Sequence, residues 1–207
     1  MYQLYYALTS AYVRKVMVSA YCLGITEQIE KLDCAAHPIH RDQRIASFNP
    51  LAKIPAMATP TGLMLYDSRV ICEYLNHEHH GSLFPESGQE RWRALSQQSL
   101  GDGLVDAALL ARYEKTARPD DKQWDGWIDA QLVKVDAAVK EIEAQVAASP
   151  FNVEPKTIGL ISIGCALGYL DFRYPDIDWR QSAPNAADWF DEFKRHPAMS
   201  TTLPVDH

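Results

Sequence analysis

Three short segments carry residue types that could do chemistry together: Thr9-Ser-Ala-Tyr-Val-Arg-Lys-Val16, Asn49-Pro-Leu-Ala-Lys-Ile-Pro55 and Leu65-Tyr-Asp-Ser-Arg-Val-Ile-Cys-Glu-Tyr-Leu75. Pro50 and Pro55 each remove a backbone donor and push the preceding residue toward extended geometry, so Ile54 should be extended. An extended Ile54 at a strand entrance leaves a main-chain N–H and C=O for a peptide-like ligand that adds itself as a short strand. The third segment opens a helix. Asp67 or Ser68 is its N-cap, and Val70, Ile71, Tyr74 and Leu75 fall at helical spacing. The free amides and positive dipole end of such a helix start would hold a carboxylate, with the Ser68 hydroxyl as a further donor. Ser10 is the N-cap of another helix. A thiol placed there would meet its hydroxyl, the Ala11 and Tyr12 amides and a positive dipole end, all of which favour thiolate. Taken singly, each segment also reads as an ordinary turn or cap.

The elements that must position these segments follow from periodicity. Residues 2–6 are β-rich, and Val13, Val16, Met17, Ala20 and Leu23 mark a helix over residues 12–23 that ends at Gly24. A second strand is expected over 27–32 and a hairpin at 57–59 and 63–65 around Pro60-Thr-Gly62, with a helix over 68–78. The order is βαβ, an irregular or helical stretch, then ββα. His79 to Gly88 has linker composition, and no strand pattern follows it. Helices are expected over 89–116, 121–148, 158–170 and 185–195, with a break at Arg118-Pro119. The reading is therefore α+β: a thioredoxin-like βαβ-ββα domain at 1–79, a linker at 80–88 and an all-helical domain at 89–207.

Composition narrows the class. The chain has 207 residues, 47% apolar and 23% charged, which suits a soluble two-domain protein. A net charge of −7 without a Lys/Arg cluster argues against a nucleic-acid partner. The longest apolar run, Ile158 to Leu170, contains three glycines and is shorter than the roughly 20 residues of a membrane span. No basic region precedes an apolar stretch at the N-terminus, so no signal peptide is read and the cytoplasm is the expected location. Cys22, Cys34, Cys72 and Cys165 are scattered, with no Cys-x-x-Cys pair, and are expected to be reduced thiols. His77-Glu-His79-His80 could suggest a metal, but it lies at a linker without Cys partners, and no metal is assigned.

The segments at 9–16, 49–55 and 65–75 resemble those of serine-type bacterial glutathione S-transferases, and the likeness continues through 101–121, 169–173 and 195–204. It implies the cytosolic fold of that family, with glutathione as substrate. Its γ-glutamyl end would lie on Asp67 and Ser68, and its cysteinyl part would pair with Ile54 before a cis Pro55. Ser10 would stabilise the thiolate. Thr9 is a near substitute, and Tyr5 and Tyr6 are further candidates whose simpler role is sheet packing. Lys53 or His40 would meet the glycyl carboxylate, while Arg69 could add charge at the γ-glutamyl end or stay solvated. Ala11 departs from the family, which usually has proline there. Asp102, Asp106, Leu109 and Tyr113 share a helix face; the acids could meet the glutathione amine or a partner subunit, and Tyr113 could line the second-substrate pocket. Thr157 opens a buried helix, but Leu160 stands where the family often has Asp. The resemblance implies a homodimer and attack on a small electrophile or peroxide. A second class stays open: a non-catalytic binding module of this fold, like the stringent starvation proteins.

Overall fold

The computed structural model describes residues 1–205. β1 (Tyr2–Tyr6) leads into α1 (Ala11–Cys22), a 3-10 turn at Thr26–Gln28, β2 (Ile29–Asp33) and α2 (Gln43–Phe48). β3 (Met57–Ala58), β4 (Met64–Leu65) and α3 (Ser68–Glu78) complete the first half. From there the described chain is helical: α4 (Gly88–Thr116), α5 (Asp125–Ala148), α6 (Ile158–Arg173), α7 (Trp179–Ser182), α8 (Pro184–Phe193) and α9 (Pro197–Ser200).

The sheet order is β2-β1-β3-β4, with β1 parallel to β2 and the other pairs antiparallel. α1 is the crossover between the parallel strands. It stops where Gly24 adopts φ +69, so that the Gly24 and Ile25 amides donate to the Tyr21 and Ala20 carbonyls. That pair of bonds needs a left-handed residue, which glycine supplies without a steric penalty. Alternation along β1 buries Tyr2 and Leu4 in the large core with α1 and α3, and Tyr5 in a smaller cluster with Ile45 of α2.

In the helical half every residue from Ile158 to Leu170 is buried. Each such Ile or Leu contributes roughly 1.5–3 kcal/mol. Glycines let α6 come close to its neighbours: a Cβ on Gly101 of α4 would stand 2.7 Å from the Ser162 carbonyl carbon, and one on Gly159 2.7 Å from Gln97 Cβ. Thr157 Oγ1 accepts from the Leu160 N–H at 3.3 Å, while buried Leu160 supplies packing in place of the reciprocal carboxylate. The Ile158 amide instead donates to Leu83 O of the connecting segment at 2.9 Å.

Several boundaries differ from expectation. The second strand starts at Ile29, because Thr26 to Gln28 forms a 3-10 turn, and a second such turn at Asp120–Lys122 delays α5 to Asp125. The last long helix spans Pro184–Phe193 rather than 185–195, with proline in its first turn. The four-residue helices α7 and α9 were not anticipated; segments that short hold too few apolar repeats to show a period.

Candidate functional site

Strand register brings the three chemistry-bearing segments to one end of the sheet. Leu4 pairs with Met57 in antiparallel sense, and the Tyr5 amide donates to Ala56 O at 3.0 Å. Ile54 and Pro55 therefore lie beside the end of β1, where the chain turns toward Ser10. Met57 pairs with Leu65, again antiparallel, which returns Asp67 and Ser68 to the same end. The convergence follows from β1–β3–β4 pairing alone.

Ser10 is the N-cap of α1, in extended backbone, and its Oγ accepts from the Val13 N–H at 3.3 Å. That bond uses an acceptor lone pair and leaves the hydroxyl proton available to donate. The first-turn amides of Ala11 and Tyr12 precede the first intrahelical bond, in which the Arg14 N–H donates to Ser10 O at 2.9 Å. Ala11 thus keeps an N–H that proline would lack. Thr9, Ser10 and Ala11 line a small recess with Leu8, Arg14, Cys165, Tyr169 and Pro204. Tyr5 is buried edge-on against Phe48, and Tyr6 lies under Lys31, so both serve packing; burial also raises the Tyr6 pKa.

The loop before β3 is held by Asn49, a residue whose role the sequence alone did not expose. Its Nδ2 donates to Lys53 O at 2.9 Å, and its Oδ1 accepts from the Leu51 N–H at 3.0 Å. The second bond is an Asx turn, for which an Asn before Pro-Leu is a signal. Ala52 sits at φ +53, and the Ile54–Pro55 bond is cis. Among the described residues, the Ile54 N–H and C=O have no hydrogen-bond partner, as strand addition by a ligand requires. Pro55 itself is buried.

Asp67, rather than Ser68, caps α3: its Oδ1 accepts from the Arg69 N–H at 2.9 Å. The Arg69 guanidinium folds back on the same carboxylate, 2.7 Å from Oδ2, and these hydrogen bonds hold the Asp67 pKa below the usual range. Ser68 is 2% exposed, and its hydroxyl has no partner among the described residues. Its amide and that of Val70 precede the Ile71 N–H to Asp67 O bond, so this helix start offers donors for a carboxylate.

Cations flank the other side. Lys53 is exposed, and Arg41 Nη2 donates to Pro50 O at 2.7 Å, which ties the His40–Arg41 segment to the Lys53 loop. His37 and His40 stack at 4.7 Å, both exposed. His79 is drawn away from any ligand cluster by Tyr2, whose hydroxyl lies 3.0 Å from His79 Nε2. Among the described residues no three His, Cys, Asp or Glu side chains gather as a metal would need.

The two acids of the α4 face meet partners inside the chain. Lys15 Nζ donates to both Asp102 oxygens, and the Tyr12 hydroxyl donates to Asp106. Burial raises the Asp102 pKa although Lys15 opposes it, and burial with the Asp106 bond raises that of Tyr12. Tyr113 is half-buried farther along α4.

Comparison with known proteins shows which family this arrangement belongs to. Residues 9–78 match the family described as "Glutathione S-transferase, N-terminal domain", and residues 125–192 its C-terminal domain. The chain belongs to the glutathione S-transferase family. A glutathione transferase family member from Pseudomonas fluorescens Pf-5, crystallised with bound glutathione, is 39% identical over 100% of both chains, with a TM-score of 0.92. A second structure from that organism holds S-(propanoic acid)-glutathione and is 38% identical over 99% of this chain and 100% of that one, with a TM-score of 0.87. The "Uncharacterized GST-like protein YibF" of Escherichia coli K12 is 29% identical over 198 residues, 95% of each chain. The transferase fold, with its sheet-bearing and helical halves, is thus the one expected from the sequence.

Proposed function

We propose that this glutathione S-transferase family member binds glutathione across the end of the sheet and transfers it to a small electrophile. One observation carries this reading: Ser10, the unpaired Ile54 main chain and the Ser68 helix start lie together. The γ-glutamyl carboxylate would sit on Ser68 and the α3 amides, with Asp67 toward its amine. The cysteinyl amide would pair with Ile54 ahead of Pro55, and Lys53 with His40 would face the glycyl carboxylate. Thr9 would border the sulfur, and Ser10 would donate its proton to it.

The reaction follows from that placement. Thiolate is favoured at Ser10 by one hydroxyl, two amides and the α1 dipole, and each pKa unit of thiol acidification corresponds to about 1.4 kcal/mol. The sulfur lone pair forms an S–C bond while the leaving group departs with its electron pair. Orientation of the two reactants supplies the remaining gain. The P. fluorescens relatives, with glutathione and a glutathione thioether bound, support both ends of this scheme.

We also propose a homodimer, with the two halves joined across 80–88. An open groove of about 770 Å³ runs along the outer face of α3, lined by Val70, Tyr74, His77, Phe84 and Arg91, and would receive a second copy. Sedimentation at micromolar concentration tests it; a monomer would refute it.

Calorimetric titration of glutathione into wild type and Ser68→Ala tests the binding reading. Wild type should bind, and loss of a hydrogen bond to a carboxylate should weaken the variant by about tenfold or more. No binding by wild type would sink the proposal. Binding without turnover of any electrophile would leave a binding module of the same fold.

A further inference from the structure

α6 lines the recess at Ser10 through Cys165 and Tyr169, and α4 packs alongside α6. The two helices advance in the same direction: Gln97 meets Gly159, Gly101 meets Ser162, and the Tyr174 hydroxyl donates to Ala108 O at 2.6 Å. At that register Tyr169 is level with Ala108, and Arg112, on the same α4 face one turn farther along, lies within a long side chain's reach of it. Tyr169 also lines the recess that contains Thr9, Ser10 and Ala11. Next to it, a Cβ on Gly168 would stand 2.4 Å from Arg14 Nη1, which fixes α6 against α1.

Two side chains of this group leave hydrogen-bond donors unused by the described residues. Tyr169 is 5% exposed as a residue, but its hydroxyl reaches the surface and makes no hydrogen bond to a described residue. A hydroxyl at the outer end of an otherwise buried ring is free to donate to a ligand. The Arg112 guanidinium likewise has neither an ion pair nor a hydrogen-bond acceptor among the described residues. The nearest acid in sequence, Glu114, is taken: Arg118 Nε lies 2.8 Å from it, and it accepts from the Trp124 N–H at 3.0 Å. A half-buried cation without an acidic partner, close to a phenol whose hydroxyl is free to donate, is a recognition element for an anion.

We propose that the second substrate carries a carboxylate, held by the Arg112 guanidinium together with the Tyr113 and Tyr169 hydroxyls, across the recess from Ser10. This rests on the transferase reading above and names the substrate class for it. Burial pushes the Tyr169 pKa to about 12, so its hydroxyl stays a proton donor at neutral pH. Arg112 is the foremost charge acting on Tyr169 and on Tyr174, which supports its nearness to both phenols. The electrophile is therefore a small acid whose reactive carbon lies within reach of the glutathione sulfur when its carboxylate is on Arg112.

Two thioethers that differ only in charge test this: S-(2-carboxyethyl)glutathione and its neutral isostere S-(2-carbamoylethyl)glutathione, titrated calorimetrically beside glutathione. Wild type should prefer the carboxylate by about tenfold, as one charge-assisted hydrogen bond supplies. Arg112→Gln should bring the ratio to near one with glutathione affinity kept, Arg112→Lys should retain part of it, and Tyr169→Phe should lower it less than Arg112→Gln does. A merely structural Arg112 would change affinity for all three ligands alike and leave the ratio unmoved, which would overturn the inference. So would a ratio near one in wild type. If glutathione itself does not bind wild type, the transferase reading fails, and this inference falls with it.

Discussion

Lys15 Nζ lies 2.6 Å from Asp102 Oδ1, an ion pair between α1 and α4 in which Lys15 is 1% exposed and Asp102 15%. It is one of several tethers from the first turns of α1 to the helical half. Arg14 Nη2 donates to Met199 O at 3.0 Å, and Tyr12 donates to Asp106. Ser10 caps that same helix, so these bonds fix the proposed thiolate donor relative to the second-substrate side.

Removing one partner of the Lys15 pair leaves a buried charge alone. Asp102→Ala should cost about 3–5 kcal/mol in chemical denaturation, whereas the apolar double variant Lys15→Met/Asp102→Leu should recover most of it. Equal losses in the single and double variants would show that the pair contributes a net attraction instead.

The Asn49 loop gives a prediction of opposite sign. Ala52 at φ +53 carries a left-handed penalty of about 1 kcal/mol, partly offset by the greater chain entropy of glycine. Ala52→Gly should raise stability by about 0.5 kcal/mol and leave glutathione affinity unchanged. Asn49→Ala should destabilise by about 2 kcal/mol, from two lost bonds in a buried site, and weaken glutathione by loosening Ile54. Intact affinity in Asn49→Ala would separate the loop clamp from ligand binding.

Asp67 sets an acid limit. Its pKa is lowered in the folded chain, chiefly by the Arg69 hydrogen bonds, so its contribution is present above the unfolded value near 3.9 and is lost as pH falls through the folded value. The side chain is 51% exposed, which keeps the charge contribution small. Asp67→Ala should cost about 1 kcal/mol as a lost cap at neutral pH, and the gap to wild type should shrink below about pH 4. Urea unfolding across that range checks it; a gap that widens in acid would contradict the sign.

Much of the fold and site was legible because it is local. Prolines at 50 and 55, the Ser10 and Asp67 caps and the apolar spacing of α1, α3 and α6 act within a few residues. What stayed hidden is side-chain pairing across the fold. Asp102 reads as free to meet a ligand until Lys15, 87 residues away, is placed beside it. Arg112 and Tyr169 sit on separate helices, and only the glycine-mediated approach of α4 and α6 makes them neighbours. Ser68 reads as a cap by type, but Asp67 takes that role and frees its hydroxyl.

The cysteines should be quiet. Burial pushes Cys22, Cys72 and Cys165 to about 11 and raises half-buried Cys34 as well. At pH 8 the first three would be thiolate about one part in a thousand. A chromogenic thiol reagent should react slowly with the native protein, at Cys34 first, and with all four thiols after unfolding. A fast thiol lost in Cys165→Ser would instead place a reactive sulfur behind Ser10.

The central claim is that glutathione is ionised at Ser10. Ultraviolet absorbance of the bound thiolate, followed against pH for wild type and Ser10→Ala, measures this directly. The account predicts a bound thiol pKa lowered by about one unit or more in wild type and returned most of the way in Ser10→Ala. A bound thiol with an unshifted pKa in wild type, or an equal shift in Ser10→Ala, would contradict it.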